Sequence, residues 1–241
     1  MASLSKAQRQ KKIMDMLEEK EKIAPEEFSD ALDVSMATLR RDFKELKDEN
    51  KILVGYGFVQ SKQNAVHGDA NMNKSFLKRL SNHYQRKLKA AENALNYVEE
   101  EDLIFIGEGT TCYLFTKLLL REFKRLKVIT NGLYALNALS KSKSFEVEGI
   151  GGTLLSDFNS FIGPKAEKMV ESMYVRKFFF SCGTYKNGTY ELSPFTASIK
   201  RMVLNRSDQH YLIIDSSKYE TVAPFYLAKP EEIDRIITEE G

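Results

Sequence analysis

Val34-Ser35-Met36-Ala37-Thr38-Leu39-Arg40-Arg41-Asp42-Phe43 decides how the first quarter of the chain folds. Ser35 is placed to accept a hydrogen bond from a free N–H of a first helical turn, the role of an N-cap. Behind it Leu39, Phe43 and Leu46 recur at i, i+4 and i+7, one apolar face of an amphipathic helix. At 3.6 residues per turn the opposite face carries Ala37, Arg41 and Lys44, with Thr38 and Arg40 on its flanks. A helix that buries leucine and phenylalanine and presents small and basic residues suits the major groove of DNA. An ordinary surface helix with solvated charges would look the same in isolation, so the flanks decide between the two.

Working outward, residues 7–20 place Ile13, Met14 and Leu17 on one side of a first helix. Pro25 fits the first turn of a second, where its missing N–H would be unpaired anyway. Phe28, Ala31 and Leu32 give that helix a buried stripe, and Asp33-Val34 leaves room only for a tight turn. Two helices, a turn of a few residues and a longer polar-faced helix make a helix-turn-helix. Lys51 to Val59, apolar residues around Gly55-Tyr56-Gly57, follows as a small hairpin or wing. Charge does not by itself mark this segment as a nucleic-acid binder: residues 1–62 hold nine lysines and three arginines against twelve acids. What matters is where the charges lie. The acids cluster at Glu18-Glu19-Glu21 and Glu26-Glu27, away from Arg40, Arg41 and Lys44, and only Glu45 falls close to that face.

The whole chain has 241 residues, enough for one large or two ordinary domains, and a formal net charge of +2 that says little about partners. No apolar run is long enough for a transmembrane helix and the amino terminus has no signal-peptide pattern, so a cytoplasmic protein is expected. Cys112 and Cys182 sit among apolar neighbours, as buried reduced thiols do. His67, His83 and His210 have no metal-ligand spacing, and no metal or cofactor is expected. Residues 61–75 are polar and aperiodic and read as a linker between a domain at 1–60 and a second at 76–241. The run Lys74, Lys78, Arg79, Arg86, Lys87, Lys89 contains no acid, which fits a solvated helix face or a supplementary contact to a DNA backbone. Leu88, Ala91, Leu95 and Val98 continue it as a helical stripe.

The second domain alternates. Strand-like runs at Leu103–Ile106, Lys127–Thr130, Phe145–Ile150, Phe178–Ser181, Tyr211–Ile214 and Arg235–Thr238 are separated mostly by helical segments at Thr111–Glu122, Leu133–Ser142, Pro164–Tyr174 and Pro194–Arg206. That order predicts an α/β fold with a mainly parallel sheet and ligands at the strand carboxyl ends. Five loops fall there. Glu108-Gly109-Thr110-Thr111 leaves a strand and opens a helix; its backbone N–H groups and helix dipole favour an anion such as a phosphate group. It is not a P-loop, because no Gly-Lys-Ser/Thr follows. Thr130-Asn131 ends the next strand, and Asn131 either caps the following helix or addresses a sugar hydroxyl. Gly151-Gly152 and Gly183 expose more backbone. Asp215-Ser216-Ser217-Lys218 ends with a point charge suited to an anion. Together these loops form a pocket.

Two halves of the sequence resemble one family. Residues 7–60, through Arg9, Ile13, Phe28, Leu32 and the Val-Ser-x-x-Thr-x-Arg-Arg-Asp string at Val34–Asp42, resemble the winged helix-turn-helix of the DeoR family of bacterial sugar-metabolism regulators. The pattern Gly109-Thr110-Thr111, Thr130-Asn131, Gly151-Gly152, Gly163, Lys200-Arg201 and Asp215-Ser216-Ser217-Lys218 resembles that family's sensor domain, which is similar to ribose-5-phosphate isomerase. The chain departs from the family pattern in three places. The wing lacks the usual basic residue. Gly107 stands where an acid is common, with Glu108 beside it. An acid common before the Lys-Arg pair is replaced by Thr196 or Ser198. The resemblance implies a repressor of a sugar-utilisation operon that leaves its operator when a phosphorylated sugar binds. Tagatose 6-phosphate and fructose 1-phosphate are effectors known in the family. Ser35, Thr38 and Lys44 are then expected on phosphates, Met36, Ala37 and Arg41 on bases, and Arg40 on either. Glu108 to Thr111, Thr130, Asn131, Gly151, Gly152, Gly183, Lys200, Asp215 and Lys218 are expected around the effector. Reading a palindrome takes two recognition helices, so a homodimer or homotetramer is expected. The alternative, a sugar-phosphate isomerase with an accessory domain, needs a general base, and no acid follows the strand at Phe178-Phe179-Phe180-Ser181-Cys182-Gly183.

Overall fold

The computed structural model describes residues 4–20, 23–49, 51–55, 58–61, 72–219 and 221–241. The chain divides into two compact units, Met1–Gln85 and Arg86–Gly241. The wing tip at Tyr56 and Gly57 and most of the expected linker, residues 62–71, lie outside the described residues.

In the first unit α1 (Lys6–Glu19), α2 (Pro25–Leu32) and α3 (Met36–Asp48) precede a hairpin of β1 (Ile52–Gly55) and β2 (Phe58–Ser61). Ser5 and Gln8 form a reciprocal capping box at the start of α1, which satisfies two of its otherwise open N–H groups. Asp33 closes α2 in the left-handed conformation (φ 52°), and that reversal is the tight turn into α3. Ser35 caps α3, accepting from the Thr38 N–H at 3.3 Å. Ile23, between α1 and α2, pairs in both directions with Val59, so the hairpin gains a third extended residue. Ile13, Leu17, Phe28, Leu32, Leu39, Phe43 and Leu46 form one core with Ile52 and Val59. Ala31 is exposed, contrary to the expected stripe: the eight-residue α2 reaches the core through Phe28 and Leu32 alone. After the linker, α4 (Lys74–Ser81) starts on Asn73, whose side chain accepts from Phe76 N–H at 2.8 Å.

Helix α5 (Tyr84–Ala94) spans the boundary between the units. Beyond it come β3 (Leu103–Ile106), α6 (Thr110–Glu122), β4 (Lys127–Thr130), α7 (Leu133–Leu139), β5 (Glu146–Gly149), β6 (Thr153–Leu155), β7 (Ser160–Ile162), α8 (Pro164–Glu171), β8 (Val175–Phe180), β9 (Thr184–Tyr185), β10 (Thr189–Glu191), α9 (Pro194–Leu204), β11 (Ser207–Ile213), β12 (Phe225–Ala228) and β13 (Arg235–Ile237). Six strands form one parallel sheet in the order β13-β11-β8-β3-β4-β5. From β3 the chain builds outward through β4 and β5; from β8 it builds the other way through β11 and β13. The switch therefore falls between β3 and β8, where an open α/β sheet leaves its ligand crevice.

Alternation along Phe178-Phe179-Phe180 sends side chains to both faces of the sheet. Phe178 and Phe180 stack on each other at 4.7 Å and pack with Ala166, Val170, Ile199 and Val203 of α8 and α9. Phe179 faces the other way, against Phe115 of α6 and Tyr211. Strand β8 begins earlier than its apolar run predicts. It adds Val175-Arg176-Lys177 ahead of that run, and Lys177 is buried because it pairs with Asp102 at 2.6 Å, just ahead of β3. Hydropathy does not register a lysine whose charge is matched inside the fold. Helices α7 and α8 stop at Leu139 and Glu171, short of the expected Ser142 and Tyr174. The β6–β7 hairpin and a small antiparallel sheet, β12-β10-β9, were not foreseen: their strands have two to four residues, below the length at which alternation shows.

Candidate functional site

The exposed face of α3 carries Ala37, Arg40, Arg41 and Lys44, with Ser35 exposed at its start and Met36 and Thr38 half-buried. Among the described residues no acid lies within ion-pair distance of Arg40, Arg41 or Lys44. Glu45, the acid that sequence places near this face, turns to α1: it meets Lys6 at 2.6 Å and accepts from Gln10 Nε2 at 2.8 Å. The Lys6 hydrogen bond, foremost, holds its carboxyl below the ordinary glutamate range. Asp42, in the same Arg-Arg-Asp string, is buried and takes both forks of the Arg9 guanidinium, one contact at 3.0 Å from Nη2 to Oδ1. Arg9 is the contributor that the sequence pattern contained without explaining: it ties α1 to the buried side of α3 while α3 shows its cations outward.

All five loops singled out in the second unit follow strands of the parallel sheet and so share its carboxyl edge. Glu108 follows β3, and its carboxylate is fully engaged. Oε1 lies 2.9 Å from Lys200 Nζ and Oε2 accepts from Asn131 Nδ2 at 2.8 Å. Lys200 rises from α9 into the same spot, where Nζ also donates to the Ser181 carbonyl at 2.7 Å and to Glu191 Oε1 at 2.5 Å. Asn131 donates in addition to Ser160 Oγ at 2.9 Å, which links β4 to β7. Glu108, Asn131, Lys200 and Glu191 are all buried. One ammonium thus serves two carboxylates. Burial chiefly, and the charge of Glu108 next to it, push the Glu191 carboxyl up despite Lys200, while the two carboxylates hold Lys200 protonated against its desolvation. Cys112 and Cys182 flank the cluster, and burial pushes both thiols up to about 12.

The remaining candidates frame this cluster. Gly109 precedes α6 at φ 115° with open space where a side chain would stand, so the backbone there is accessible to a ligand. Thr110 and Thr111 form the first turn of α6. Thr130 spends its hydroxyl internally, donating to the Ile106 carbonyl at 2.7 Å and accepting from Gly132 N–H at 3.0 Å. Gly151 is open, whereas a Cβ on Gly152 (φ 131°) would come within 2.6 Å of the Ile162 carbonyl. Gly183 donates to the Tyr190 carbonyl at 2.9 Å, and a Cβ on it would lie 3.0 Å from that oxygen, a tight contact. Asp215 is buried and caps the short turn Ser216–Lys218, accepting from Ser217 N–H at 3.1 Å. Lys218 is half-buried and has no ion pair or hydrogen bond from its ammonium among the described residues. Asn131 Oδ1 and Asp215 Oδ2 are buried acceptors with no hydrogen-bond partner among the described residues.

At Gly107 a Cβ would lie 3.3 Å from that of Phe180, a tight contact. Glu191 escaped the sequence reading. It lies nine residues before Lys200 on the three-residue strand β10, and only the turn from β10 into α9 brings the two together. Among the described residues no cluster of His, Cys, Asp and Glu is fit to hold a metal ion, and no helix is long and apolar enough to cross a membrane.

A winged helix-turn-helix whose third helix exposes a cationic face, joined to a parallel α/β unit with five loops at one sheet edge, defines a DNA-binding regulator with its own sensor unit. Residues 9–65 match the DeoR-like helix-turn-helix domain and residues 82–240 the DeoR C terminal sensor domain. Along 98% of its length the chain is 30% identical to the L-fucose operon activator of Escherichia coli (strain K12), covering 96% of that protein. It is 33% identical to the lactose phosphotransferase system repressor of Streptococcus mutans, over 92% of this chain and 88% of that one. Among solved structures it is similar to ribose 5-phosphate isomerase A of Methanocaldococcus jannaschii, with TM-score 0.42 and 14% identity over 57% of this chain and 55% of that one. The chain belongs to the DeoR family of helix-turn-helix transcriptional regulators.

Proposed function

We propose that the protein represses a sugar-utilisation operon and is released from its operator by a phosphorylated sugar bound at the carboxyl edge of the sensor sheet. The observation that carries the DNA half is the α3 face: Arg40, Arg41 and Lys44 stand exposed and unneutralised while Asp42 and Glu45 are drawn to α1. Lys44, Ser35 and Thr38 contact phosphates and position the helix; Met36, Ala37 and Arg41 meet base edges, and Arg40 serves either role. A repressor and an activator both occur among the relatives; repression follows the family's usual mode.

On the sensor side, the internal network leaves particular groups for a ligand. Glu108 and Lys200 are saturated by each other, by Asn131 and by Glu191. The backbone at Gly109–Thr111 and at Gly151, together with the Lys218 ammonium, therefore supplies the anion contacts, and the Asn131 and Asp215 acceptors suit hydroxyl groups. The protein acts as a homodimer or homotetramer on a palindrome, and binds rather than converts its sugar. Arg41→Ala tests the DNA half. If Arg41 reads a guanine through both of its terminal nitrogens, the substitution weakens operator binding by about 1–3 kcal/mol and relaxes selectivity at one base pair. A gel shift at fixed salt showing unchanged affinity removes Arg41 from that role.

A further inference from the structure

The carboxyl-terminal residues Thr238 and Glu239 join two parts of the sensor unit that sequence keeps far apart. Glu239 grips the turn after β11: Ser216 donates to it from its N–H (2.9 Å) and from its hydroxyl (2.5 Å). Glu239 also faces Arg86 on α5, Oε1 to Nε at 3.7 Å, and Arg86 Nη1 donates to the same Ser216 hydroxyl at 3.2 Å. A second tie runs from α5 to the preceding residue: Asn93 Nδ2 donates to the Thr238 carbonyl at 2.8 Å. Ser216 belongs to the Asp215–Lys218 turn, and Arg86 is the first residue of the sensor unit, on the helix by which the chain arrives from the DNA-binding unit.

We propose that Glu239 and Arg86 form a coupling clasp that makes α5 respond to the conformation of the Asp215–Lys218 turn, and so lets ligand occupancy reach the DNA-binding unit. The proposal rests on the reading of that turn as part of the effector pocket. An anion drawn to Lys218 repositions a turn in which Ser216 is held from two sides. Glu239 is less exposed than Arg86, so the arginine is the partner with freedom to let go. Two packed arrangements of one contact are what a coupling of this kind needs.

Three proteins, wild type, Arg86→Ala and Glu239→Gln, are compared on an operator fragment selected from a random DNA library. Tagatose 6-phosphate, fructose 1-phosphate and inorganic phosphate serve as probes. Ligand binding is read by calorimetry, and DNA binding by gel shift with and without each probe. In the wild type a binding probe weakens DNA affinity by about 5- to 150-fold, the usual range of allosteric coupling. Both variants are expected to bind DNA alone and probe alone within about twofold of wild type, and to lose most of the probe's effect on DNA. A merely structural role would instead lower the separate affinities and leave their ratio intact, which overturns the clasp. So does a full probe effect in Arg86→Ala, an exposed position that reports even where Glu239→Gln fails to fold. A wild type that binds none of the probes while still binding DNA overturns the effector reading and the clasp with it; a wild type that responds alongside responding variants overturns the clasp alone.

Discussion

Lys200 brings one positive charge into a volume that already holds the carboxylates of Glu108 and Glu191, all of it buried. Such a cluster adds little over an apolar core, but removing its cation strands two charges away from water. Lys200→Met is therefore expected to destabilise the sensor unit by about 3–5 kcal/mol in urea denaturation, far more than a surface lysine would. The same crowding sets a pH dependence. Burial raises the Glu191 carboxyl above its ordinary value of 4.5, so the folded state holds that proton more tightly than the unfolded state. Its contribution to stability is complete below the ordinary glutamate range and is lost as pH rises through the folded-state value. Glu191→Gln cannot lose a proton, so relative to wild type it gains stability as pH rises from the ordinary glutamate value of 4.5 toward neutrality. A stability gap between the two that stays constant across this range contradicts the assignment.

At the scale of elements, α3 is set by what lies behind it. Phe28 meets Phe43 edge-on at 5.3 Å, and Arg9 of α1 seals the buried Asp42 beneath the recognition face. Arg9→Ala leaves a buried carboxylate unpaired. Because the arginine side chain is partly solvated, the expected cost is about 2 kcal/mol, at the low end for a broken internal pair. That loss should appear as a lower Tm for the DNA-binding unit and weaker operator binding, with the melting of the sensor unit unchanged. Equal lowering of both transitions would show that Arg9 acts elsewhere. The sheet elements give the complementary lesson. Leu103–Ile106 and Lys127–Thr130 are strands over the runs read from their sequence, because both are short and apolar and lie in the buried middle of the sheet. Strands β8 and β11 begin several residues before their apolar runs, at Val175 and Ser207, since polar residues ahead of each run find partners only in the folded sheet.

For the whole molecule, the two units report on different partners, and a thermal-shift screen separates them. A phosphosugar that binds the folded sensor and not the unfolded chain stabilises it by about 2.7 kcal/mol at a hundred times its Kd. For a sensor unit of this size that is an upward shift of roughly 5–11 °C in Tm, confined to the sensor transition. A panel of phosphosugars that moves neither transition would count against the effector reading while leaving DNA binding intact.

Local patterns in the sequence determined the helix-turn-helix, the parallel α/β unit and the loops that gather at its carboxyl edge. Each rests on short-range periodicity: leucine and phenylalanine every three or four residues, apolar runs bounded by glycine, serine or asparagine caps. The family pattern supplied Lys200 and Asn131 as site residues, but not what they touch. That was decided by tertiary structure, because the partners come from other elements of the fold: Glu191 for Lys200, Glu108 and Ser160 for Asn131, Arg9 for Asp42, Glu239 for Ser216. A charge shows its type in the sequence, but whether it faces water, a ligand or an opposite charge depends on which distant segments fold against it.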